Sequence, residues 1–285
     1  MFNASELTTL RRAYARQVTF VGGQASNRAL EDAYAAVKRE AFLGEGPWPI
    51  LGGGGYRQTP DADPAWLYAD ILVGIVPERK LNNGQPSGHA AWIAAAAPQP
   101  GDHVVHVGAG VGYYSAIMAH MAGPSGRLTA IEFDPVLAER AKTNLSHLPN
   151  ATVLQGDGSV TPFEPADVIY VNAGASRPAD LWLDGLKDGG RMILMLTTRA
   201  NFPTVIPGQI TGGIFLVTRL GDKFHVRFVS PVWVFPCEGM RDATSEQALA
   251  EAFAKGGFRD VTRLYRGEAP AGVTPWVQAP GWAMA

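Results

Sequence analysis

Residues 104–123 have the sequence VVHVGAGVGYYSAIMAHMAG. The apolar run 103–108 predicts a buried strand, the glycines after it form a G-x-G-x-G turn, and the stretch YYSAIMAHMA predicts a helix. Glycines in such a turn permit a tight backbone path and let a ligand lie against bare main chain. The stretch therefore predicts the first strand–turn–helix unit of a nucleotide-binding α/β sheet.

Downstream of this unit, short apolar runs alternate with amphipathic stretches. The runs predict strands at 127–134, 151–157, 167–173 and 189–197. Strands that alternate with helices are typical of βαβ units and a parallel sheet. Two further apolar runs follow with no helix between them, so they predict an antiparallel pair at the sheet edge (213–220 and 224–235). The predicted fold class is α/β, a Rossmann-like and mostly parallel sheet with an antiparallel closing edge.

The two ends of the chain have a different character. Residues 1 to about 45 show helical spacing, with Asn27 as the predicted cap of a second helix. Residues 44–64 are rich in glycine and proline, so they predict a long loop, either a mobile lid or a packed connector. The tail predicts one helix, one strand and a Trp-bearing end. The chain is divided accordingly into N-terminal helices with the Gly/Pro-rich loop (1–75), a cofactor-binding domain (76–235) and a C-terminal extension (236–285).

Two carboxylates fall at predicted strand ends. Glu132 ends the second strand 22 residues after Gly110, where α/β nucleotide binders hold the ribose hydroxyls. Asp157 ends the third strand and is placed to accept a hydrogen bond from an adenine amino group. The carboxyl ends of neighbouring parallel strands line one crevice. A dinucleotide fold prefers G-x-G-x-x-G, so the G-x-G-x-G form favours S-adenosylmethionine as the cofactor.

Composition excludes several other classes of protein. The 285 residues carry 24 Lys+Arg against 26 Asp+Glu, a net charge of −2, which argues against a nucleic-acid partner. The single cysteine, Cys237, excludes a disulfide framework or a cysteine zinc site and fits the cytoplasm best. No run approaches the roughly 20 apolar residues of a membrane span, and the histidine spacing suits no metal.

Several segments in order resemble the protein-L-isoaspartate O-methyltransferase family of class I S-adenosylmethionine-dependent methyltransferases. Over roughly residues 30–235, these include VKREAFL (37–43), Tyr68-Ala69-Asp70, Gly84-Gln85-Pro86, the glycine stretch quoted above and VRFVSPV (226–232). The resemblance implies a Rossmann-like class I methyltransferase sheet and S-adenosylmethionine as cofactor, with S-adenosylhomocysteine as product.

The resemblance also implies a role for individual positions. The implied cofactor-binding residues are His106, Gly108, Ala109, Gly110, Gly112, Tyr113, Glu132, Phe133, Asp157, Gly158 and Asn172. The candidates on the substrate-side loop are Asn82, Asn83, Gln85, Ser87 and His89. No metal is implied, no catalytic residue is assigned, and His89 is equally well explained as a histidine at the start of a helix.

This chain departs from the family pattern at two places within the shared motifs, and in addition the N-terminal glycine loop and the tail beyond residue 240 look like additions to the family pattern. His106 stands where the family usually has Asp or Glu before the first glycine. The family's loop Thr and Ser fall on Asn82 and Gly84, so the hydroxyls associated with isoaspartyl recognition are missing. The second departure predicts weak activity on ordinary isoaspartyl peptides.

Methyl transfer to a carboxylate needs no general base, because the acceptor is already ionised at pH 7. The absence of a convincing base near the loop therefore favours a carboxyl O-methyltransferase acting on an Asp or isoAsp of a protein or peptide. Two alternatives stay open: a tailoring methyltransferase for a modified peptide or a small-molecule acid, and a non-catalytic S-adenosylmethionine-binding regulator. The oligomeric state is not predicted.

Overall fold

A computed structural model describes residues 2–198, 211–237 and 239–285. Its helices are α1 (Ala4–Val21), α2 (Arg28–Ala36), α3 (Pro86–Ala96), α4 (Tyr113–Ala122), α5 (Pro135–Leu145), α6 (Asp180–Gly185) and α7 (Ala243–Lys255). Three short 3-10 helices cover Arg39–Phe42, Pro64–Leu67 and Pro77–Arg79.

The strands follow the same chain numbering. They are β1 (Pro49–Gly52), β2 (Gly55–Gln58), β3 (Gly74–Val76), β4 (Leu81–Asn82), β5 (His103–Val107), β6 (Arg127–Glu132), β7 (Ala151–Gln155), β8 (Ala166–Val171), β9 (Leu186–Thr197), β10 (Gly212–Leu220), β11 (Lys223–Pro231), β12 (Arg263–Arg266), β13 (Val277–Ala279) and β14 (Trp282–Met284).

One compact unit consists of the described residues of Met1–Asp102 and Ala109–Gln155. Strands β6 and β7 pair in parallel, with Glu132 opposite Gln155 at their carboxyl ends. Helices α1 to α5 and two antiparallel hairpins, β1–β2 and β3–β4, complete the unit. The Asn27 side chain accepts from the Leu30 amide, so the predicted cap of α2 is confirmed.

The second unit consists of the described residues of His103–Gly108 and Gly156–Ala285. Its strands have the spatial order β13-β14-β12-β11-β10-β9-β8-β5. The pairs β5–β8 and β8–β9 are parallel, and all the pairs from β9 to β13 are antiparallel. The predicted closing pair is therefore confirmed as β10 and β11, and the tail strands extend the antiparallel edge further than expected.

The prediction of a long loop over residues 44–64 is only partly confirmed, because the segment contains regular structure. This segment holds the hairpin β1–β2, whose strands face each other from Pro49–Gln58 to Gly52–Gly55. A two-residue Gly-Gly connection suits the twist of a tight hairpin, so a glycine run here marks a turn. Trp48 is buried with Leu43, Leu67 and Val73, so the segment is a packed connector.

The end of the chain packs on the core of the second unit. Trp276 lies against Phe215 and Phe253, and its indole Nε1 donates to the Gly256 carbonyl. Trp282 is 3% exposed. The sequence left open whether these tryptophans cover the core or the active site, and the structure shows that they cover the core. Residues 277–284 form two strands that the sequence did not predict.

Candidate functional site

The glycine turn has the backbone that the motif predicts. Gly108, Gly110 and Gly112 have φ values of +76°, +57° and +88°, which residues other than glycine rarely adopt. A Cβ on Gly108 would meet the Asn172 carbonyl oxygen at 3.0 Å, and one on Gly112 would meet Leu145 at 3.0 Å. A Cβ on Gly110 would meet only Ile75, at 3.9 Å. Bare and accessible main chain is therefore found at Gly110, which is where a ligand can approach.

Glu132 lies beside this turn, in the same unit. Its Oε2 accepts from the Gly110 amide at 2.6 Å, and its Oε1 accepts from the Asp134 amide at 3.0 Å. The residue is 8% exposed, and burial raises the pKa of its carboxyl despite these two amides. Each oxygen keeps acceptor capacity for a further donor. The geometry fixes the Glu132 carboxylate against Gly110, the one glycine of this turn that has open space beside it.

Asp157, Gly158 and Asn172 lie in the second unit. Asp157 Oδ1 accepts from the Ser159 amide at 2.8 Å and hydroxyl at 2.7 Å, which is the local turn geometry typical of Asp. Asn172 Nδ2 donates to the Gly108 carbonyl at 3.3 Å. A side chain on Gly158 would overlap Val107. In this unit Gly158 therefore lies against Val107, the last residue of β5, and Asn172 directly follows β8.

His106 is completely buried on β5, and its ring meets the edge of Tyr170 at a centroid distance of 5.3 Å. Desolvation lowers the pKa of the imidazole to about 3, so the ring is neutral in the folded protein. The valines that flank His106 in the sequence predict both its burial and its neutral form, and the structure confirms both. Its role toward a cofactor stays a prediction.

The buried imidazole predicts a pH dependence of stability. An unfolded histidine titrates near 6.5 and the folded one near 3, so the unfolded chain binds the extra proton between these values. Stability is therefore lost as pH falls below about 6.5, by up to about 1.4 kcal/mol per pH unit. Urea unfolding of wild type and His106→Asn should show the wild-type advantage shrinking by about 2 kcal/mol between pH 7 and pH 5. An advantage that does not change with pH would contradict this assignment.

Asp70 holds the start of α3. Its Oδ1 accepts from the Ser87 amide at 2.9 Å, and its Oδ2 accepts from the Ser87 hydroxyl at 2.6 Å and from Gln85 Nε2 at 3.1 Å. Two of the substrate-loop candidates, Gln85 and Ser87, are therefore engaged in fixing the loop to the helix. In the sequence analysis, Asp70 appears only within a segment that resembles the family, and no role is predicted for it.

The two asparagines of the loop also shape its backbone. Asn82 Oδ1 accepts from the Gly84 amide at 2.9 Å. Asn83 is 7% exposed, and its Oδ1 accepts from the Val73 amide at 3.0 Å and from Arg39 at 3.3 Å. Their predicted contacts with a substrate stay predictions.

Arg39 lies completely buried beneath this loop. Its guanidinium donates to the carbonyl oxygens of Leu67 at 2.6 Å, Ala69 at 3.0 Å and Ile71 at 2.7 Å. Sequence reasoning missed this residue, because a charged side chain on a short polar segment is usually solvated. Its place within VKREAFL (37–43), a segment quoted for the resemblance, was the only clue.

Gly84 and His89 are in direct contact. His89 is 2% exposed and stacks on Tyr114, with ring centroids 3.5 Å apart and planes 8° from parallel. Gly84 has φ +73°, and a Cβ at this position would overlap His89 Nε2. The imidazole thus stands where a side chain at position 84 would begin. His89 and Gly84 fit each other as a pair, which explains why the chain has no hydroxyl here.

Restoring a hydroxyl at position 84 is therefore expected to harm the protein. Gly84→Ser combines a left-handed backbone cost of about 1–2 kcal/mol with crowding against His89 worth about 1–3 kcal/mol. Gly23→Ser is the matched control, because Gly23 has the same φ of +73° and no neighbour within 4 Å of its Cβ position. Thermal melting should show the larger loss for Gly84→Ser, and adding His89→Ala should recover part of it. Equal losses in the two serine variants would refute the contact.

Three further predicted cofactor residues have different surroundings. Tyr113 is 1% exposed and packs with Phe42 and Tyr34 inside the first unit. Ala109 is buried and its amide donates to the Ile131 carbonyl at 3.2 Å. Phe133 is 51% exposed, which leaves its ring open to a ligand.

Among residues 2–198, 211–237 and 239–285, no cluster of His, Cys, Asp and Glu could bind a metal ion. In the same ranges, no helix combines the length and apolarity needed to cross a membrane.

Curated relatives carry the name protein-L-isoaspartate O-methyltransferase. The relative from Methylorubrum populi is 32% identical over 234 residues, which are 81% of this chain and 96% of the relative. The relative from Ignicoccus hospitalis is 45% identical over 151 residues, and that from Thermotoga maritima is 30% identical over 175 residues. The matches span 67% and 50% of the length of these two relatives, respectively.

Solved structures confirm the fold class. A protein-L-isoaspartate O-methyltransferase superposes with a TM-score of 0.64 at 22% identity, over 79% of this chain and 66% of its own. A Plasmodium falciparum beta-aspartate methyltransferase, whose structure contains S-adenosyl-L-homocysteine, gives 0.61 at 15% identity over 80% and 98%. The fold is therefore the predicted class I methyltransferase fold.

The family model described as Protein-L-isoaspartate(D-aspartate) O-methyltransferase (PCMT) matches residues 64–228, more than half of the chain. This stretch contains the loop held by Asp70, the glycine turn, Glu132 and the strands β3 to β10. The chain belongs to the protein-L-isoaspartate O-methyltransferase family.

Proposed function

We propose that this protein transfers the methyl group of S-adenosylmethionine to the free carboxylate of isoaspartyl residues in proteins and peptides. The observation that carries the proposal is the Glu132 carboxylate, fixed on the Gly110 amide within a chain of this family. Glu132 is 8% exposed, and a carboxylate in such a place is usually matched by hydrogen-bond donors. The two ribose hydroxyls of S-adenosylmethionine are donors of this kind.

The described residues fit such a cofactor. In the first unit, Gly110 offers main chain with open space beside it, and Glu132 offers acceptors for the ribose. In the second unit, Asp157 and Asn172 offer an acceptor and an amide at strand ends. The adenine and methionine parts of the cofactor are assigned to Asp157 and to the glycine turn by the resemblance to the family.

The bound cofactor supplies a methyl group that is already electrophilic. The task of the chain's own residues is therefore to align the acceptor and to exclude water. A carboxylate acceptor is ionised at neutral pH, so no residue needs to remove a proton. This fits a loop whose side chains are engaged in structure: Asp70 holds Gln85 and Ser87, and Arg39 holds Asn83.

The substrate-side loop also bears on whether isoaspartyl peptides are accepted. The expectation of weak isoaspartyl activity rested on the two missing hydroxyls alone. The structure shows that the loop is built by other contacts, with His89 filling the place of a side chain at position 84. We therefore propose that isoaspartyl activity is retained.

A panel of acceptors tests the proposal. The purified protein, with S-adenosylmethionine, is given an isoaspartyl peptide, the same peptide with ordinary Asp, and a small carboxylic acid. We expect a methyl ester, recognised by its lability to base, on the isoaspartyl peptide alone. Turnover of the small acid alone would favour a tailoring enzyme. S-adenosylhomocysteine binding by calorimetry without any turnover would favour a non-catalytic regulator, and either result would overturn the proposal.

A further inference from the structure

The connection between β11 and α7 runs alongside the loop that follows β8. The Gly174 amide donates to the Phe235 carbonyl at 2.7 Å, and the Cys237 amide returns a bond to the Gly174 carbonyl at 2.9 Å. The Ser176 amide donates to the Met240 carbonyl at 2.9 Å. These bonds all lie inside the second unit. We call residues 172–176 the β8 loop. The described residues of the connection, 232–237 and 239–242, thus bind main-chain groups of the β8 loop that solvent would otherwise bind.

Arg241 fixes this arrangement from the connection side. Its guanidinium donates to the Gly174 carbonyl at 3.1 Å and to the carbonyl and hydroxyl of Thr197, each at 3.0 Å. It also pairs with Glu246 in the first turn of α7 at 2.6 Å. The two side chains are only 10% and 17% exposed, so solvent screens this pair weakly. The planar guanidinium group of Arg241 thereby joins the β8 loop, the end of β9 and α7.

The other end of the β8 loop is tied to the glycine turn. The Asn172 amide donates to the Val107 carbonyl at 2.8 Å, and its side chain donates to Gly108. Ala175 and Ser176 are completely buried. The loop is therefore held at both ends, by the glycine turn on one side and by Arg241 on the other.

A second contact links the connection to Asp157. Gly239 has φ +76°, and a Cβ at this position would overlap Asp157 Oδ2. Asp157 Oδ1 is engaged by Ser159, so the oxygen next to Gly239 is the one that local bonds leave for a ligand. Only a residue without a side chain fits against this carboxylate.

We propose that the β11–α7 connection is part of the methyltransferase site, with Gly239 giving room to the Asp157 carboxylate for the cofactor and Arg241 acting as a positioning residue for the β8 loop beside the acceptor. This inference rests on the proposed function, which assigns Asp157 and Asn172 to the cofactor, and the resemblance to the family implies that residues 171–173 line the crevice beside the methyl group that the acceptor receives. It gives part of the C-terminal extension a role in the reaction, beyond the packing of its tryptophans.

The Gly239 half of the proposal is tested by binding. Gly239→Ala is compared with Gly272→Ala, because Gly272 has φ +87° and no neighbour within 4 Å of its Cβ position. Both variants bear the backbone cost, but only Gly239→Ala crowds Asp157. Calorimetric titration with S-adenosylhomocysteine should give a dissociation constant raised about tenfold or more for Gly239→Ala and nearly unchanged for Gly272→Ala.

The Arg241 half is tested by kinetics. Arg241→Lys keeps the charge beside Glu246 but cannot donate to Gly174 and Thr197 with one planar group. We expect kcat on the isoaspartyl peptide to fall about tenfold or more, with the dissociation constant of S-adenosylhomocysteine changed less than about threefold. The matched control is Arg266→Lys on β12, whose partner Asp184 is 65% exposed, and its kcat should stay at the wild-type value. Thermal melting of every variant identifies any that do not fold.

The outcomes separate this inference from the proposed function. Wild type that neither binds S-adenosylhomocysteine nor methylates the peptide refutes the proposed function itself. Active wild type with Gly239→Ala and Arg241→Lys behaving like their controls refutes only the role of the connection. If Gly239→Ala does not fold, the Arg241→Lys kinetics decide. Equal loss of kcat in Arg241→Lys and Arg266→Lys would reduce Arg241 to a general stabilising residue.

Discussion

Glu132→Ala is expected to weaken S-adenosylhomocysteine binding by about two to four orders of magnitude. The substitution would remove two charge-assisted hydrogen bonds between the carboxylate and the ribose, each worth about 1.5–3 kcal/mol. It would also release the Gly110 amide, which the carboxylate holds at 2.6 Å, so the turn that meets the ligand would lose its support. Calorimetric titration of wild type and variant measures the change directly.

Two further variants make this test specific. Glu132→Gln keeps the shape and one acceptor oxygen without the charge, so its affinity should fall between the other two. Glu139→Ala, on α5, removes a carboxylate that is 72% exposed and should bind like wild type. A Glu132→Ala variant that binds as tightly as wild type would show that the ribose assignment is wrong.

Among the substitutions proposed for this protein, Arg39→Met is expected to cause the largest loss of stability, about 3–5 kcal/mol in the free energy of unfolding. The substitution keeps an apolar stem but leaves the buried carbonyl of Leu67 and the partly buried carbonyls of Ala69 and Ile71 without their donor. Each unsatisfied buried acceptor costs about 1–3 kcal/mol. Asn83 loses a partner as well, so the substrate-side loop should become less ordered and methyl transfer should fall.

Guanidinium unfolding measures this prediction. Lys142→Met is the control, since the side chains of Lys142 and its partner Glu139 are 64% and 72% exposed and their pairing should change stability by less than about 0.5 kcal/mol. A loss for Arg39→Met no greater than that of the control would show that the three carbonyls find other donors.

The sequence predicted the central strand–turn–helix unit closely. Helix α4 covers the stretch YYSAIMAHMA that was predicted for it, and β6 ends on Glu132 as expected. These elements are set by local patterns: an apolar run, a glycine turn and a carboxylate at a fixed spacing. The burial of His106 could be predicted for the same reason, because its strand neighbours are valines.

Other features depend on contacts between distant parts of the chain. The hairpin β1–β2 has only four residues in each strand, and its glycines suggested a loop. The fit between Gly84 and His89 requires knowing the fold of the loop. Arg241 meets residues 67 and 44 positions earlier in the chain, so no local pattern points to it. The positions of the glycine turn and of Glu132 could therefore be predicted from spacing, whereas the contacts that build the substrate-side loop could not, and the roles of these residues toward a cofactor stay predictions.

Methyl transfer from S-adenosylmethionine to an isoaspartyl carboxylate is the activity that we propose for this chain. The most direct measurement of it is mass spectrometry of an isoaspartyl peptide and its ordinary Asp counterpart, each incubated with wild-type protein and the cofactor. We expect the gain of one methyl group on the isoaspartyl peptide, located on the isoaspartyl residue by fragmentation, and none on the Asp peptide. An unmodified isoaspartyl peptide, from protein that binds S-adenosylhomocysteine in the same preparation, would contradict it.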